Sequence, residues 1–214
     1  MQFRLGFPSK GRIARAIEAS LKANNFNIIL SNSRCYLGKV STPSSFEIRL
    51  MPATNIASEL ASGNLDFGLT GLDLMLENNT QNIKQLKKFN QSKAEIGLLT
   101  PLSWDRAINN PSLLHLCLTP ILSSKYTQIS KRYINIKNLK QLHLTKCKST
   151  TEIEPFIKNS NIVIDVISSG TTATSNMLST TPIISTTLCM FYNRTSRISS
   201  KTLNLIHILC HSLI

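Results

Sequence analysis

The sequence predicts an α/β fold, on three observations. Short apolar runs alternate with stretches of helical period, glycine falls mainly where one kind of segment gives way to the other, and no apolar stretch approaches the ~20 residues of a membrane span. Phe3, Leu5 and Phe7 alternate as in a strand, and Ile13, Ile17 and Leu21 then recur every four residues as one stripe of a helix that stops at Asn24-Asn25. Phe26–Leu30 and Phe46–Leu50 read as further strands. A short helix carrying Ile56 and Leu60 ends at Gly63, the residue type that favours a left-handed stop, and Asp66–Thr70 forms a strand running into Gly71. Ile96–Thr100 opens a second series, with strands near Leu114–Leu118, Leu142–Thr145 and Ile162–Ile167 and helices over Ser123–Tyr133 and Glu152–Lys158. The spacing Thr151-Glu152-Ile153-Glu154 is that of a capping box, in which a hydroxyl and a carboxylate satisfy free amides at a helix start. A last helix, Ser200–Leu213, buries Leu203, Ile206, Cys210 and Leu213. Alternation of this length predicts parallel sheets.

Composition narrows the class. The 42% hydrophobic and 6% aromatic content is that of a globular chain, and 214 residues form one large domain or two small ones sharing strands. The opening, MQFRLGFPSKGR, has no apolar run long enough for a signal peptide, so a cytosolic protein is expected. Five scattered cysteines, Cys35, Cys117, Cys147, Cys189 and Cys210, form no C-x-x-C pair and fit a reducing compartment. The net charge of +13 has two readings, compositional drift toward lysine or a need to hold polyanions, and charge alone does not choose between them.

With eight glycines, the chain has about half the usual share of ~7%. Five of them, Gly11, Gly63, Gly68, Gly71 and Gly170, are read here as strand-to-helix loop residues, where α/β proteins bind ligands and helix starts present amides to anions. In Asp165-Val166-Ile167-Ser168-Ser169-Gly170-Thr171-Thr172, a buried strand delivers an Asp and then a hydroxyl-rich turn around one Gly. That is a nest for a phosphate, or else an ordinary polar turn. Phe7-Pro8-Ser9-Lys10-Gly11-Arg12 offers two cations and a Gly at a helix start, although Lys10 and Arg12 also suit a solvated surface. No Walker sequence occurs, so any nucleotide is held in another way. His207 and His211 have the spacing of a metal pair but lack an intervening Glu and an evident third ligand. Trp104, alone of its kind, reads as a packing residue.

Five segments in order resemble the ATP phosphoribosyltransferase catalytic subunit along nearly the whole chain. They are FPSKGR, SRCYLGK (Ser33–Lys39), ELASGNLDFGLTGLDLMLE (Glu59–Glu77), SSKYTQISKRY, and Glu152-x-x-Pro155 separated by nine residues from DVISSGTT. The chain departs from the family pattern at Lys158, Asn161, Ala173 and Thr174. The resemblance implies a two-domain fold like the type II periplasmic binding proteins with a cleft between the domains. Domain I is expected over residues 1–92 plus 175–214, and domain II over 93–174. It implies transfer of phosphoribose from phosphoribosyl pyrophosphate (PRPP) to N1 of ATP, the first step of histidine biosynthesis, with Mg2+ present. The expected catalytic residues are Asp165, Lys10 and Arg34. Those expected to hold PRPP are Glu152, Asp165, Ser168, Ser169, Gly170, Thr171 and Thr172. Those expected to hold ATP are Ser9, Lys10, Gly11, Arg12, Arg34, Thr70, Gly71 and Asp73. The family has a long form with an added histidine-sensing domain. The present length looks like the short form, which works with a regulatory subunit resembling histidyl-tRNA synthetase. The rival readings are a non-catalytic small-anion-binding module of the same fold and a nucleic-acid binder. The second rests on charge alone, without interleaved aromatics or a recognisable motif, and neither nucleic acid nor membrane is an expected partner.

Overall fold

The computed structural model describes residues 3–23, 28–30, 36–40, 46–78, 81–104, 120–147, 150–157, 160–167, 171–196 and 198–211. The chain divides into two units, Met1–Lys93 with Thr187–Ile214, and Ala94–Thr186. The first unit begins with β1 (Phe3–Pro8), α1 (Arg12–Ala23), β2 (Ile28–Leu30), β3 (Leu37–Val40) and β4 (Phe46–Met51). It continues with α2 (Ala53–Ala61), β5 (Phe67–Gly71), α3 (Leu72–Asn78) and β6 (Ile83–Lys88). The second unit holds β7 (Ala94–Pro101), a 3₁₀ turn at Leu102–Trp104, β8 (Ile121–Ser124), α4 (Thr127–Ile136) and β9 (His143–Lys146). A second 3₁₀ turn at Thr151–Ile153 leads to β10 (Ile162–Ile167), α5 (Thr171–Ser175) and β11 (Leu178–Thr186). The chain then returns to the first unit with β12 (Leu188–Asn193) and α6 (Ser200–His211).

The first unit's sheet has the order β2-β3-β4-β1-β5-β12-β6. Its middle strands β4, β1 and β5 run parallel, because α1 and α2 carry the chain back between them, and β12 enters antiparallel between β5 and β6. Leu5, Phe7, Phe46, Ile48, Phe67 and Leu69 make the core on these strands, with Ile17 and Leu21 of α1 and Ile206, Leu209 and Cys210 of α6 packed among them. Phe3, Phe46 and Phe67 form a triangle of tilted and edge-on rings with centroids 6.0–6.2 Å apart. The second unit's sheet has the order β11-β7-β10-β8-β9. In it β10, β8 and β9 are parallel, while β7 runs antiparallel to both β10 and β11.

The expected parallel sheets are therefore mixed ones. β11 pairs with β7 along its whole length, so it belongs to the second unit, and the chain crosses back at Thr186/Thr187, later than the expected boundary before residue 175. The expected helix over Ser123–Tyr133 is a strand up to Ser124 and a helix only from Thr127, because Leu122, Ser123 and Ser124 are buried in the ladder with β10. Instead of a capped helix over Glu152–Lys158 there is a 3₁₀ turn. The residue at the cap of that turn is Thr150, which makes no side-chain cap bond, while Thr151 is buried within it, and the Cys147 thiol lies 3.9 Å from the Thr151 hydroxyl and 3.4 Å from the Glu154 carboxylate. Pro155, with no amide hydrogen, does not sustain a regular helix here. Leu203 is only half-buried on α6, and Leu209 takes the core position. The expected strand at Leu114–Leu118 lies outside the described residues, as does Leu213. None of the described helices is long and apolar enough to cross a membrane.

One polar contact ties the first unit together. Buried Asp66, just before β5, accepts hydrogen bonds from the Arg4 amide at 2.9 Å, from Arg4 Nε and an Arg4 terminal nitrogen at 3.1 Å, and from the Ser196 hydroxyl at 2.7 Å. Burial alone pushes the Asp66 carboxyl upward, but these hydrogen bonds and the Arg4 charge outweigh it and hold the group below its ordinary value of 3.8. A depressed folded value means that the contribution is complete above about 3.8 and is lost as pH falls through the folded value. Asp66→Asn is expected to cost about 1.5–3 kcal/mol at pH 7, the usual worth of charged hydrogen bonds. Urea unfolding of both proteins at pH 7 and near pH 3 checks this, since the gap between them narrows as pH falls below 3.8.

Candidate functional site

Each unit gathers its chemistry at one edge of its sheet. In the first, the C-terminal ends of β4, β1 and β5 lie side by side, each followed by a helix start. The Ser9 amide donates to the Met51 carbonyl at 2.8 Å, which pins the turn after β1 to the end of β4. Gly11 has φ +94°, and its carbonyl accepts the Arg15 amide at 3.2 Å, the first bond of α1. A Cβ at Gly11 would meet nothing within 4 Å, so the glycine is required by its left-handed backbone, which side chains adopt at a cost. Lys10 and Gly11 are exposed and Ser9 is half-buried. Thr70 is fully buried, and its hydroxyl donates to the Ala53 carbonyl at 2.9 Å, which fastens the end of β5 to the start of α2. Gly71 is buried against Asp73, whose Oδ1 occupies the place of a Cβ. Asp73 itself is buried in the first turn of α3, where the helix dipole favours an anion. Ser9, Lys10 and Gly11 thus share an edge with Thr70, Gly71 and Asp73. Arg34 lies outside the described residues, and so does the side chain of Arg12.

In the second unit the parallel ends of β9, β8 and β10 form the corresponding edge. Asp165, near the end of β10, accepts the Val166 amide on Oδ1 at 2.7 Å, and its Oδ2 lies 3.9 Å from Lys125 Nζ. The Asp165 side chain is 16% exposed and that of Lys125 49%. Glu152 is half-buried in the 3₁₀ turn that packs on β10, with buried Glu154 beside it. Asn161, where the family pattern has Asp, aligns β8 with β10. Its carboxamide oxygen accepts the Ile121 backbone amide at 2.9 Å, and the Asn161 backbone amide donates to the Ile121 carbonyl at 2.8 Å. Ser168, Ser169, Gly170 and Lys158 lie outside the described residues. Thr171 and Thr172 begin α5, but their side chains also lie outside what is described.

Lys125 was not among the residues expected from the sequence. Its signal was its position after a strand, hidden because the two serines before it read in the sequence as the start of a helix and are in fact the end of β8. Gly68 is placed differently from the expectation. It lies within β5 beside Gly6 of β1, and a Cβ there would come within 2.5 Å of Ile56 and 2.9 Å of Leu60. It is a packing glycine that lets α2 approach the sheet. Gly63, at φ +76°, takes the left-handed stop after α2. His207 and His211 are exposed on α6, and among the described residues no three His, Cys, Asp or Glu side chains gather to hold a metal. Burial pushes the Cys189 and Cys210 thiols up to about 11 and about 12, so neither is a nucleophile near neutral pH.

The sequence model of the ATP phosphoribosyltransferase family matches residues 52–213. This chain belongs to the ATP phosphoribosyltransferase family. The family's relative from Methanococcus maripaludis strain S2 is 31% identical over 177 residues, which cover 81% of this chain and 58% of that one. With 57% of the relative from Sulfolobus acidocaldarius covered, the chain spans under three fifths of the length of both archaeal proteins. The fold matches the solved ATP phosphoribosyl transferase (HisG:HisZ) complex from Thermotoga maritima with a TM-score of 0.79 at 18% identity, covering 99% of this chain and 98% of that one. The ancestral amino acid-binding protein AncCDT-1 matches with a TM-score of 0.60 at 10% identity, over 99% of this chain and 89% of that one. The chain has the two-domain α/β fold of type II periplasmic binding proteins, shared within the ATP phosphoribosyltransferase family.

Because Gly68 is set by packing, Gly68→Ala is expected to destabilise the protein by about 1–3 kcal/mol through overpacking. Denaturant unfolding measures the loss, and substrate affinity in the folded variant is expected to stay within about twofold of wild type.

Proposed function

We propose that this protein is an ATP phosphoribosyltransferase that joins ATP to PRPP and releases pyrophosphate, the first step of histidine biosynthesis. The observation that carries the reading is the family match over residues 52–213, which takes in Glu152, Asp165 and the segment Ser168-Ser169-Gly170-Thr171-Thr172. In the reaction N1 of ATP attacks C1 of PRPP while the bond from C1 to the pyrophosphate oxygen breaks. Charge leaves with the pyrophosphate and positive charge spreads over the sugar ring. Little covalent help is needed. The protein's task is to hold two polyanions and place the reacting atoms. In this reading Asp165 and Glu152 orient the PRPP ribose hydroxyls, and Ser168, Ser169, Gly170, Thr171 and Thr172 surround its 5′-phosphate. Lys10, Arg12 and Arg34 offset the polyphosphate charge, and Ser9, Gly11, Thr70, Gly71 and Asp73 shape the ATP edge. The buried, high-pKa Cys189 and Cys210 fit a mechanism without a thiol nucleophile.

Magnesium fits as a companion of the substrates. Mg2+ is commonly held by one or two carboxylates plus substrate phosphates, and Asp165 with Glu152 offers such a donor set, with no all-protein cage among the described residues. When bound it would neutralise charge on the departing pyrophosphate. The partner in this reading is a regulatory subunit resembling histidyl-tRNA synthetase, consistent with a fold match to a chain solved as a two-protein complex. This reading puts the protein in the cytoplasm, with ATP and PRPP as substrates, and the scattered cysteines fit a reducing compartment.

The test is an assay with ATP, PRPP and magnesium, with and without the regulatory subunit, read by mass spectrometry. Phosphoribosyl-ATP and pyrophosphate are the expected products, and their absence even with the partner would remove the assignment. Binding without turnover would favour the anion-binding module instead. Lys10→Ala and Arg34→Ala are each expected to weaken substrate binding at least about tenfold, since charge-assisted contacts are worth roughly 1.5–3 kcal/mol. A change below about threefold that fades as salt is raised would identify them as solvated surface cations.

A further inference from the structure

We infer that Lys125 is a substrate-binding residue, whose ammonium group rests beside Asp165 in the free protein and passes to the pyrophosphate of PRPP on binding. The inference rests on the PRPP reading of this edge. The register that pairs Ile164 with Ser124 brings the next residues of β10 and of the chain after β8, Asp165 and Lys125, alongside each other. The backbone around Lys125 is fixed by buried hydroxyls. Ser124 Oγ donates to the Ile164 carbonyl at 2.7 Å and accepts the Tyr126 amide at 2.9 Å, while Ser130 Oγ donates to the Tyr126 carbonyl at 2.6 Å. The side chain between these anchors is 49% exposed, so a hydrogen-bonded backbone presents a solvent-accessible cation.

The distance to Asp165, 3.9 Å, is too long for a hydrogen bond and leaves an electrostatic pairing that is readily exchanged. The chemistry of the edge calls for such an exchange. Asp165 and Glu152 are only part-buried and put carboxylates where, in this reading, a polyphosphate is to dock, and like charges there oppose binding. A lysine is a compact charge on a flexible stem, able to offset Asp165 when the site is empty and a phosphate when it is full. A purely structural ion pair would also sit at this distance, but its loss would lower stability without touching PRPP affinity.

Lys125→Met and Lys125→Arg separate these roles. Calorimetric titration of PRPP and steady-state kinetics with each substrate varied are compared with wild type, with thermal unfolding as the check on folding. Lys125→Met is expected to raise the PRPP Kd and KM about tenfold or more, the effect of losing a charge-assisted contact. The KM for ATP stays within about twofold, and Lys125→Arg recovers most of the affinity. Unchanged PRPP affinity in folded Lys125→Met, while wild type binds PRPP, overturns the role of Lys125 and leaves the reading of the edge standing. Wild-type protein that binds no PRPP at all overturns both. If the Met variant does not fold, Lys125→Gln takes the same measurements.

Discussion

Asp66 gathers three stretches of chain into one place. Its side chain holds Arg4 in β1 and Ser196 beyond β12, its amide donates to the Arg4 carbonyl at 3.0 Å, and its carbonyl accepts the Asn193 amide at 3.0 Å. Arg4 also reaches back to the Gly63 carbonyl at 2.9 Å, so the stop of α2 joins the same network. Everything at the far ends of β1 and β5 inherits its position from this knot, because a strand fixed at its start and laddered to its neighbours has little freedom at its end. Satisfying one buried carboxylate so fully is also what makes its burial tolerable.

The two edges are built alike. In each, parallel strands deliver polar residues, and a small hydroxyl or amide locks the backbone that carries them: buried Thr70 on Ala53 in the first unit, buried Ser124 on Ile164 and half-buried Asn161 on Ile121 in the second. These residues leave the groups beside them, Lys10, Lys125 and Asp165, with defined backbones and reachable side chains. Part of the large positive charge has a separate use. Lys84, Lys87 and Lys88 lie on β6, at the edge of the first sheet, where lysines discourage pairing with another chain.

How far the sequence could be read depended on how each segment is buried. β1, α1, β4, α2 and β10 were legible because each shows a clean period of two or near four, or a run of branched apolar residues. β11 was not, since Ser179, Thr180, Thr181 and Pro182 read as loop although they lie on a strand at the sheet's edge. β6 was masked by its lysines. β12, with Leu188–Phe191 fully buried, has no alternation to reveal it. Within the site, the motif loops were visible as residue types, whereas Lys125 became apparent only through the register of β8 against β10. The glycine count misled at Gly68, because a glycine kept for a ligand and one kept for helix packing look the same in a sequence.

The return of the chain to its first unit has a consequence for the order in which the molecule is made. β5 is buried along its whole length, yet one of its two partners, β12, begins only at Leu188. A ribosome that has emitted the first ninety or so residues has therefore released a sheet with an apolar central strand still open on one side, and it stays so while all of Ala94–Thr186 is synthesised. At roughly 5–20 residues per second that interval lasts several seconds, long compared with the collapse of small chains. The nascent protein thus passes through a stage in which its second unit is complete and its first is an unfinished sheet, a natural client for chaperones that shield exposed strand edges.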